Sequence, residues 1–521
     1  MIVELLGAKI IAPYYGVSLY VWSSVLGVTL GALALGYFAG GVISRKHPGP
    51  TSLFTVLLIG ASFTVIAPLI APWILTTTEP LGVQLGSLMS VLMYLLIPVA
   101  CFGSVSPIII QQINKEADDA GRSAGTIYAI STVGGILATF IAGFYLIPTI
   151  GIKITAYATG GLLAVMALSY FVVFRKYLVV LASLSLGAVI AALHPSETET
   201  DDLRIIYSSV GLLGEWMVID EGDPSKAKGG RAVERTLTLN GINQTYTQRG
   251  FEPMSLWKYP HQIAAYASMK PSGSKALLFG MGGGSIAFEL LALGFDLDIV
   301  ELDKRIGHIA EAYFQYDPEL SDLFIDDARH YIRSTDDRYD VVVIDLAIGE
   351  VQPSHVFSVE GFSDLKKILT KNALVIINLQ GTLVDPDLSR GLRSIYKTLL
   401  ASDFNVHHFA PARAAGGTRP DSFLTQDIFL IASLEDVDYK TRMAYLRYND
   451  LFPSFDWFPY DNFGYENLIS EESLDLEDAY LLVDDKPRLE ILNSSAILQW
   501  RKYMIENSVR KLMDAGLPIY Q

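Results

Sequence analysis

A single cysteine, Cys101, among 521 residues excludes a disulfide framework and any metal site built from several thiolates. Lying inside an apolar run, it reads as a small core residue. The eight histidines show no metal-ligand spacing, and the adjacent His407 and His408 would point to opposite faces of a strand. No serine stands in a nucleophile-elbow pattern. Charge is scarce as well: charged residues are 18% of the chain and mean hydropathy is +0.34, too apolar for an ordinary soluble enzyme of this length. That scarcity is local. Residues 1–194 carry eight Lys and Arg and five Asp and Glu, leaving 31 and 50 for residues 195–521, so the first part is net +3 and the second net −19. The acid surplus argues against nucleic acid as a partner, which needs clustered Lys and Arg. It suits a cationic substrate, although solubility alone is the commoner reason for such a charge.

What the first part does have is apolar runs separated by short loops: Leu19–Ile43, Ser52–Leu75, Val83–Ile110, Thr126–Ile147, Ile154–Phe174 and Tyr177–Leu193. Most approach the roughly 20 residues of a helical membrane span, so six spans are expected. Met1–Tyr15 is too short for a span, has no signal-peptide pattern and reads as the second half of a helix. Gly27, Gly31, Gly36 and Gly40, and later Gly134, Ala138 and Ala142, are small residues at helical spacing that would let backbones approach closely. Glu4 is the one acid within an apolar environment there, and pairing with Lys9 or a transport role are both open. No row of polar groups is evident at mid-membrane depth, which a transporter needs. Positive charge collects at Arg45–Lys46, Lys115–Arg122 and Arg175–Lys176, which marks those loops as cytoplasmic. Either Tyr177–Leu193 does not cross, or everything after His194 faces out.

The second part opens with alternating segments, Arg204–Asp220 and Arg235–Thr247, that predict a small antiparallel sheet. A doubly wound pattern follows. Lys275–Gly280 predicts a strand, Ser285–Gly294 a helix, Asp296–Leu302 a strand, Lys304–Tyr316 a helix, Leu323–Asp327 a short strand and Tyr339–Leu346 a buried strand. Leu374–Asn378 and Ile428–Ala432 are candidates to extend the sheet. Such alternation implies a parallel sheet with ligands at its carboxyl edge. Functional candidates collect there. The loop Gly280-Met-Gly-Gly-Gly284, with Gly280, Gly282 and Gly284 as its candidate cofactor-binding glycines, lets a ligand approach the backbone and aims a helix N-terminus at it. Glu301 ends the second strand, where a carboxylate accepts from ribose hydroxyls. Asp327 follows the third and is placed to accept from an adenine amino group. Asp345 closes Val341–Ile344 with no local cationic partner. Three acids in register with a glycine loop are far more specific than any one of them.

At these residues the second part resembles the spermidine synthases, and the whole chain resembles their membrane-fused relatives. Glu4 through Gly16, Leu35 through Arg45, Gly125 through Pro148 and Leu482-Val-Asp-Asp-Lys-Pro487 resemble segments of the fused family. Leu239-Asn-Gly-Ile-Asn-Gln244 resembles the family's L-x-G-x-x-Q strand, Tyr259-Pro-His-Gln its tyrosine-led helix, Val300-Glu-Leu-Asp303 its acid-tipped second strand, and Tyr339 to Asp345 its Y-D-V-I-I-x-D strand. The resemblance implies Gln244, Glu301, Asp327 and the glycine loop as cofactor-binding residues, with Asp345 and Tyr259 catalytic. It departs at three places: Gly283 stands where the family's loop has a carboxylate, Ile348 where it has another acid, and the interval from Gln244 to Tyr259 is longer than the family's.

The implied architecture is a multi-pass α-helical membrane domain (1–194), a small antiparallel β-domain (195–250), a Rossmann-like, methyltransferase-type parallel sheet (251–435) and a mostly helical extension (436–521). The implied chemistry is aminopropyl transfer from decarboxylated S-adenosylmethionine to an amine, without a metal. Asp345 would position the amine and take its proton. Tyr246, Trp257 and Tyr259 would either shelter the sulfonium or simply pack. With Gly283 in the loop, methyl or aminocarboxypropyl transfer from intact S-adenosylmethionine is the first alternative, and Gly283→Asp is expected to shift binding toward the decarboxylated donor. A non-catalytic nucleoside-binding membrane protein or a transporter is the second alternative. Expected partners are the lipid bilayer of a cell membrane and a small amine, with no nucleic acid; a homodimer stays open.

Overall fold

The computed structural model describes residues 1–16, 19–113, 120–181, 183, 203–211, 213–222, 233–347, 352–381, 385–409, 426–437, 468–469, 474–515 and 517. Contacts divide the chain into two units, Met1–Met217 with Ile505–Gln521, and Val218–Met504.

The first unit is helical where it is apolar. Helices α1 (Ile2–Tyr15), α2 (Leu19–Lys46), α3 (Pro50–Thr78), α4 (Gly82–Ile113), α5 (Ala120–Ile141) and α6 (Ile147–Val173) follow one another in the chain. Among the described residues, four stretches are long and apolar enough to cross a membrane: Tyr20–Lys46, Pro50–Leu81, Gln84–Ile113 and Gly121–Val173. The last, at 53 residues, merges the expected runs Thr126–Ile147 and Ile154–Phe174 and is over twice as long as one crossing requires. The backbone leaves helical geometry inside it at Gly151 (φ 79°), in the interval between those two runs. Most of the sixth run, Tyr177–Leu193, lies outside the described residues.

Small residues serve packing at some of the expected positions only. A Cβ on Gly36 or Gly40 would lie 2.3 Å from the Ala100 carbonyl oxygen or 2.6 Å from that of Ser104, so α2 and α4 are in backbone contact there. Gly27, Gly31 and Gly134 face open space instead. Three hydroxyls isolated from one another in the sequence meet inside this unit: Tyr15 donates to Thr78 Oγ1 (2.7 Å), whose hydroxyl pairs with that of Ser90 (2.6 Å). Lys9 Nζ donates to the Gly211 carbonyl (3.0 Å).

Arg204–Asp220, expected as one segment, forms two strands, β1 (Leu203–Gly211) and β2 (Gly214–Glu221). In the second unit, β3 (Glu234–Leu239) and β4 (Ile242–Gln248) form an antiparallel hairpin with Thr236 opposite Tyr246. The main sheet has eight strands in the order β12-β10-β11-β9-β8-β5-β6-β7. Its members are β5 (Lys275–Phe279), β6 (Asp296–Glu301), β7 (Asp322–Ile325), β8 (Tyr339–Ile344), β9 (Leu369–Gly381), β10 (Asn405–Phe409), β11 (Gln426–Ser433) and β12 (Leu468–Ile469). Strands β5 to β9 pair in parallel, as the βαβ alternation predicts. The other pairs, β11 with β9 and β10 with its two neighbours, are antiparallel, so the sheet is mixed rather than wholly parallel. Leu277, Phe279, Val342, Ile344, Val375 and Ile377 are all buried in one apolar core, which explains why these strands read as continuous apolar runs.

The closing segment Leu482–Pro487 is tied by a buried guanidinium to two helices that flank this sheet, Ala328–Ser334 and Val359–Lys367. Arg329 donates to Asp364 Oδ2 (2.9 Å) and Asp484 Oδ2 (3.3 Å), and Val359 N donates to the Leu482 carbonyl (2.9 Å).

Candidate active site

The glycine loop turns sharply between β5 and the helix Ser285–Ala292. Gly280 N donates to the Val300 carbonyl and Asp345 N to that of Phe279, both at 3.0 Å, which stitches the ends of β6, β5 and β8 together. A Cβ on Gly280 would lie 2.3 Å from the Asp345 carbonyl oxygen, and its φ is +89°, so only glycine fits. Gly284 caps the helix in the left-handed region (φ 88°). The loop is held from the hairpin: Thr245 Oγ1, beside Gln244, accepts from Gly283 N (2.8 Å), a role the sequence reading missed. Gln244 places its carbonyl oxygen 3.7 Å from where a Gly282 Cβ would stand.

Packing around Gly283 bears on the expectation for Gly283→Asp. A Cβ there would meet Thr245 Cγ2 at 2.8 Å and the Phe314 ring at 3.0 Å. An aspartate at 283 therefore has to displace packed neighbours before it can act on a donor.

Glu301 stands at the end of β6. Its Oε2 accepts from Met281 N (3.0 Å) and its Oε1 from Asp303 N (2.9 Å), so the carboxylate clasps the glycine loop as well as its own turn. Burial pushes its pKa up while those backbone N–H groups pull the other way. Each oxygen retains a lone pair for a ligand hydroxyl.

Asp327 lies beyond the end of β7 as the N-cap of the helix Ala328–Ser334, accepting from Arg329 N (2.9 Å) and His330 N (3.1 Å). Its other oxygen pairs with His355 Nε2 (2.9 Å). Burial opposes its charge, but the His355 contact and the backbone donors prevail and hold its pKa below the usual carboxylate value. The structure thus gives this acid a local structural task that its motif position did not announce.

Asp345 extends past β8, separated from Glu301 by the single strand β5, so the two backbones are about 10 Å apart at the usual strand spacing. Its Oδ1 accepts from Asn378 Nδ2 (3.0 Å) and its Oδ2 from the Tyr259 hydroxyl (3.4 Å). Burial raises its pKa to about 6 despite both donors. The sequence pair Asp345 and Tyr259 is therefore brought together. Tyr259 is also the end of an aromatic row, with Trp257 5.9 Å away and Tyr246 6.0 Å beyond it. Tyr246 spends its hydroxyl on Glu234. Asp427, which the sequence reading passed over, belongs to the same cluster: burial and the neighbouring Asp345 charge raise its pKa to about 7. Ile348 and Glu350 lie outside the described residues.

Geometry of this kind, an acid-tipped second strand clasping a glycine loop beside a buried acid and tyrosine, coincides with a sequence match. Residues 258–409 match the profile of the spermine/spermidine synthase domain. Residues 258–409 are spermidine synthase-like. A polyamine aminopropyltransferase from Vibrio vulnificus is 30% identical over 130 residues, 24% of this chain and 44% of that protein. Polyamine aminopropyltransferase 2 of Aquifex aeolicus is 23% identical over 417 residues, 74% of this chain and 77% of that one. A probable spermidine synthase structure from Corynebacterium glutamicum superposes with a TM-score of 0.36 at 17% identity, over 46% of this chain and 82% of that one. The chain spans about half the length of two of the curated relatives it matches, 44% of the Vibrio protein and 52% of one from Thermoplasma volcanium.

Proposed function

We propose that the chain is a membrane-anchored aminopropyltransferase that moves an aminopropyl group from decarboxylated S-adenosylmethionine to an amine. The observation that carries this reading is the placement of Asp345, hydrogen-bonded to Tyr259 and Asn378, one strand away from the Glu301 clasp on the glycine loop. Anchoring is supported by the four stretches long and apolar enough to cross a membrane, with side chains such as Phe38 and Ile130 left exposed on their surfaces. Methylthioadenosine is the expected by-product.

In this reading Glu301 accepts from the ribose hydroxyls, and Asp327, with its remaining acceptor capacity, lies on the adenine side. Asp345 receives one proton from the entering ammonium. The freed nitrogen lone pair forms a bond to the carbon next to the sulfonium, the C–S bond breaks with its electron pair going to sulfur, and a neutral thioether leaves without needing a proton. The product nitrogen keeps one positive charge. Asp345 ends protonated and returns its proton to solvent. A carboxyl with a pKa of about 6 is suited to this task because it accepts a proton readily and is still ionised at neutral pH. The aromatic row Tyr246, Trp257 and Tyr259 offers ring faces to a sulfonium.

One observation favours a second reading, transfer of a methyl or aminocarboxypropyl group from intact S-adenosylmethionine. With Gly283 in the loop, no carboxylate at that position repels the donor's own carboxylate. Incubating the detergent-purified chain with each labelled donor and a panel of amines decides between them. Labelled polyamine from the decarboxylated donor supports the first reading, labelled methylated or aminocarboxypropylated product supports the second, and no product with either donor refutes both.

A further inference from the structure

The cluster beyond β8 and β9 contains more than the proposed reaction has used. Strand β11 runs antiparallel to β9, with Asp427 opposite Gln380 and Phe429 opposite Asn378. Opposed residues share a face and alternate residues along a strand return to it, so Asp427, Gln380, Phe429 and Asn378 lie on one face of the sheet. Ile344 is in register with Ile377, which brings Asp345 level with Asn378 on the neighbouring strand. Because β11 is reversed, its first residues lie at the edge where β8 and β9 end. Asp427 therefore faces the site across β9.

Asn378 links the two acids. Its Nδ2 donates to Asp345 Oδ1 at 3.0 Å, and its amide also reaches Asp427. Its Oδ1 is buried with no hydrogen-bond partner among the described residues, on a residue only 9% exposed. A buried acceptor left open costs free energy unless a ligand fills it, and what it asks for is an N–H or O–H donor. Neither Asp345 nor Asp427 has a Lys, Arg or His partner among the described residues, and the groups facing them are Tyr259, Asn378 and each other. An ammonium group supplies three donors and no acceptor, and carries the charge that two adjacent acids lack.

We propose that Asp427 and Asn378 complete, together with Asp345, a subsite for the acceptor's ammonium group, with Asp427 as the residue that makes the site select a cationic amine over a neutral nucleophile. The inference rests on the aminopropyltransferase reading and names its acceptor subsite. The ammonium nitrogen sits between two carboxylates with the free amide oxygen as third acceptor. Asp427 keeps its charge near the nitrogen after Asp345 has taken the proton, so the product cation is also accommodated.

The test uses the full chain in detergent with methylthioadenosine bound, titrated calorimetrically with 1,4-diaminobutane and, as a neutral counterpart, 1,4-butanediol. In the wild type the diamine binds and the diol does not. Asp427→Asn keeps size and removes charge; it is expected to weaken the diamine at least tenfold and to raise the amine KM, with the methylthioadenosine Kd and the donor KM within twofold of wild type. A diamine affinity within twofold of wild type overturns the inference. So does a wild type that binds methylthioadenosine but not the diamine, which leaves the nucleoside site standing. Absence of methylthioadenosine binding overturns both this inference and the function it rests on. Should Asp427→Asn not fold, diamine binding to the wild type as a function of pH decides: affinity rising between pH 5 and 8 supports the inference, and a flat response overturns it.

Discussion

Removing the Glu301 carboxylate is the most direct probe of nucleoside binding. Its two oxygens hold Met281 N at 3.0 Å and Asp303 N at 2.9 Å, and the same group is assigned to the ribose hydroxyls. Glu301→Ala therefore removes the ligand's acceptor and releases the loop that lies against it. Hydrogen bonds to a charged group contribute about 1.5–3 kcal/mol each, and water recovers part of that in the variant. The expected loss in methylthioadenosine binding is about 2–4 kcal/mol, or roughly 30- to 700-fold in Kd. Glu301→Gln separates the two contributions. Its amide retains one acceptor oxygen but turns an NH2 toward either Met281 N or Asp303 N, so a loss between wild type and Glu301→Ala is expected. Isothermal calorimetry on the three detergent-purified proteins reads these values, with the melting temperature as a check on folding. Equal affinity in wild type and Glu301→Ala would refute the site.

Five further outcomes are expected. Asp345→Asn retains methylthioadenosine binding and loses about two to four orders of magnitude in turnover, the scale for a positioned base; a rate near wild type would make Asp345 structural. Wild-type turnover falls as pH drops through about 6, because Asp345 is then protonated. The stability sign is opposite to that of a salt-bridged acid: with folded pKa values raised to about 6 and about 7, Asp345 and Asp427 bind protons more readily folded than unfolded, so stability falls as pH rises from about 4 to 7 and Asp427→Asn flattens that slope in a thermal melt. Arg329→Ala leaves Asp364 and Asp484 short of a buried guanidinium and is expected to destabilise the second unit by about 3 kcal/mol in denaturant titration, whereas Arg333→Ala, whose side chain is exposed, leaves the midpoint near wild type. Gly283→Asp is expected to lower the melting temperature through contact with Thr245 and Phe314, an overpacking cost of about 1–3 kcal/mol, and a variant as stable as wild type would show that the loop relaxes freely.

The residues by themselves determine the division of the chain into an apolar and an acidic part, because six long apolar runs without a charged residue fall in the first and the acid surplus falls in the second. They also determine the βαβ alternation, since buried parallel strands must be apolar throughout and end in turns. Glu301 and Asp345 are legible because each closes such an apolar run with a carboxylate. Asn378 was half legible, as an amide ending the run Leu374–Asn378. What the tertiary structure alone decided follows from strand direction and side-chain reach. Asp427 lies at the start of its strand, and in a parallel sheet it would lie at the far edge from the ligand; the antiparallel pairing of β11 with β9 brings it to the same edge as Asp345. Asp327 keeps its expected place after β7, but capping the next helix and pairing with His355 are decided by backbone geometry that no spacing rule contains. The Cβ direction at Gly283 is of the same kind: the letter shows that a carboxylate is missing, and only the fold shows that Thr245 and Phe314 fill the space where one would begin.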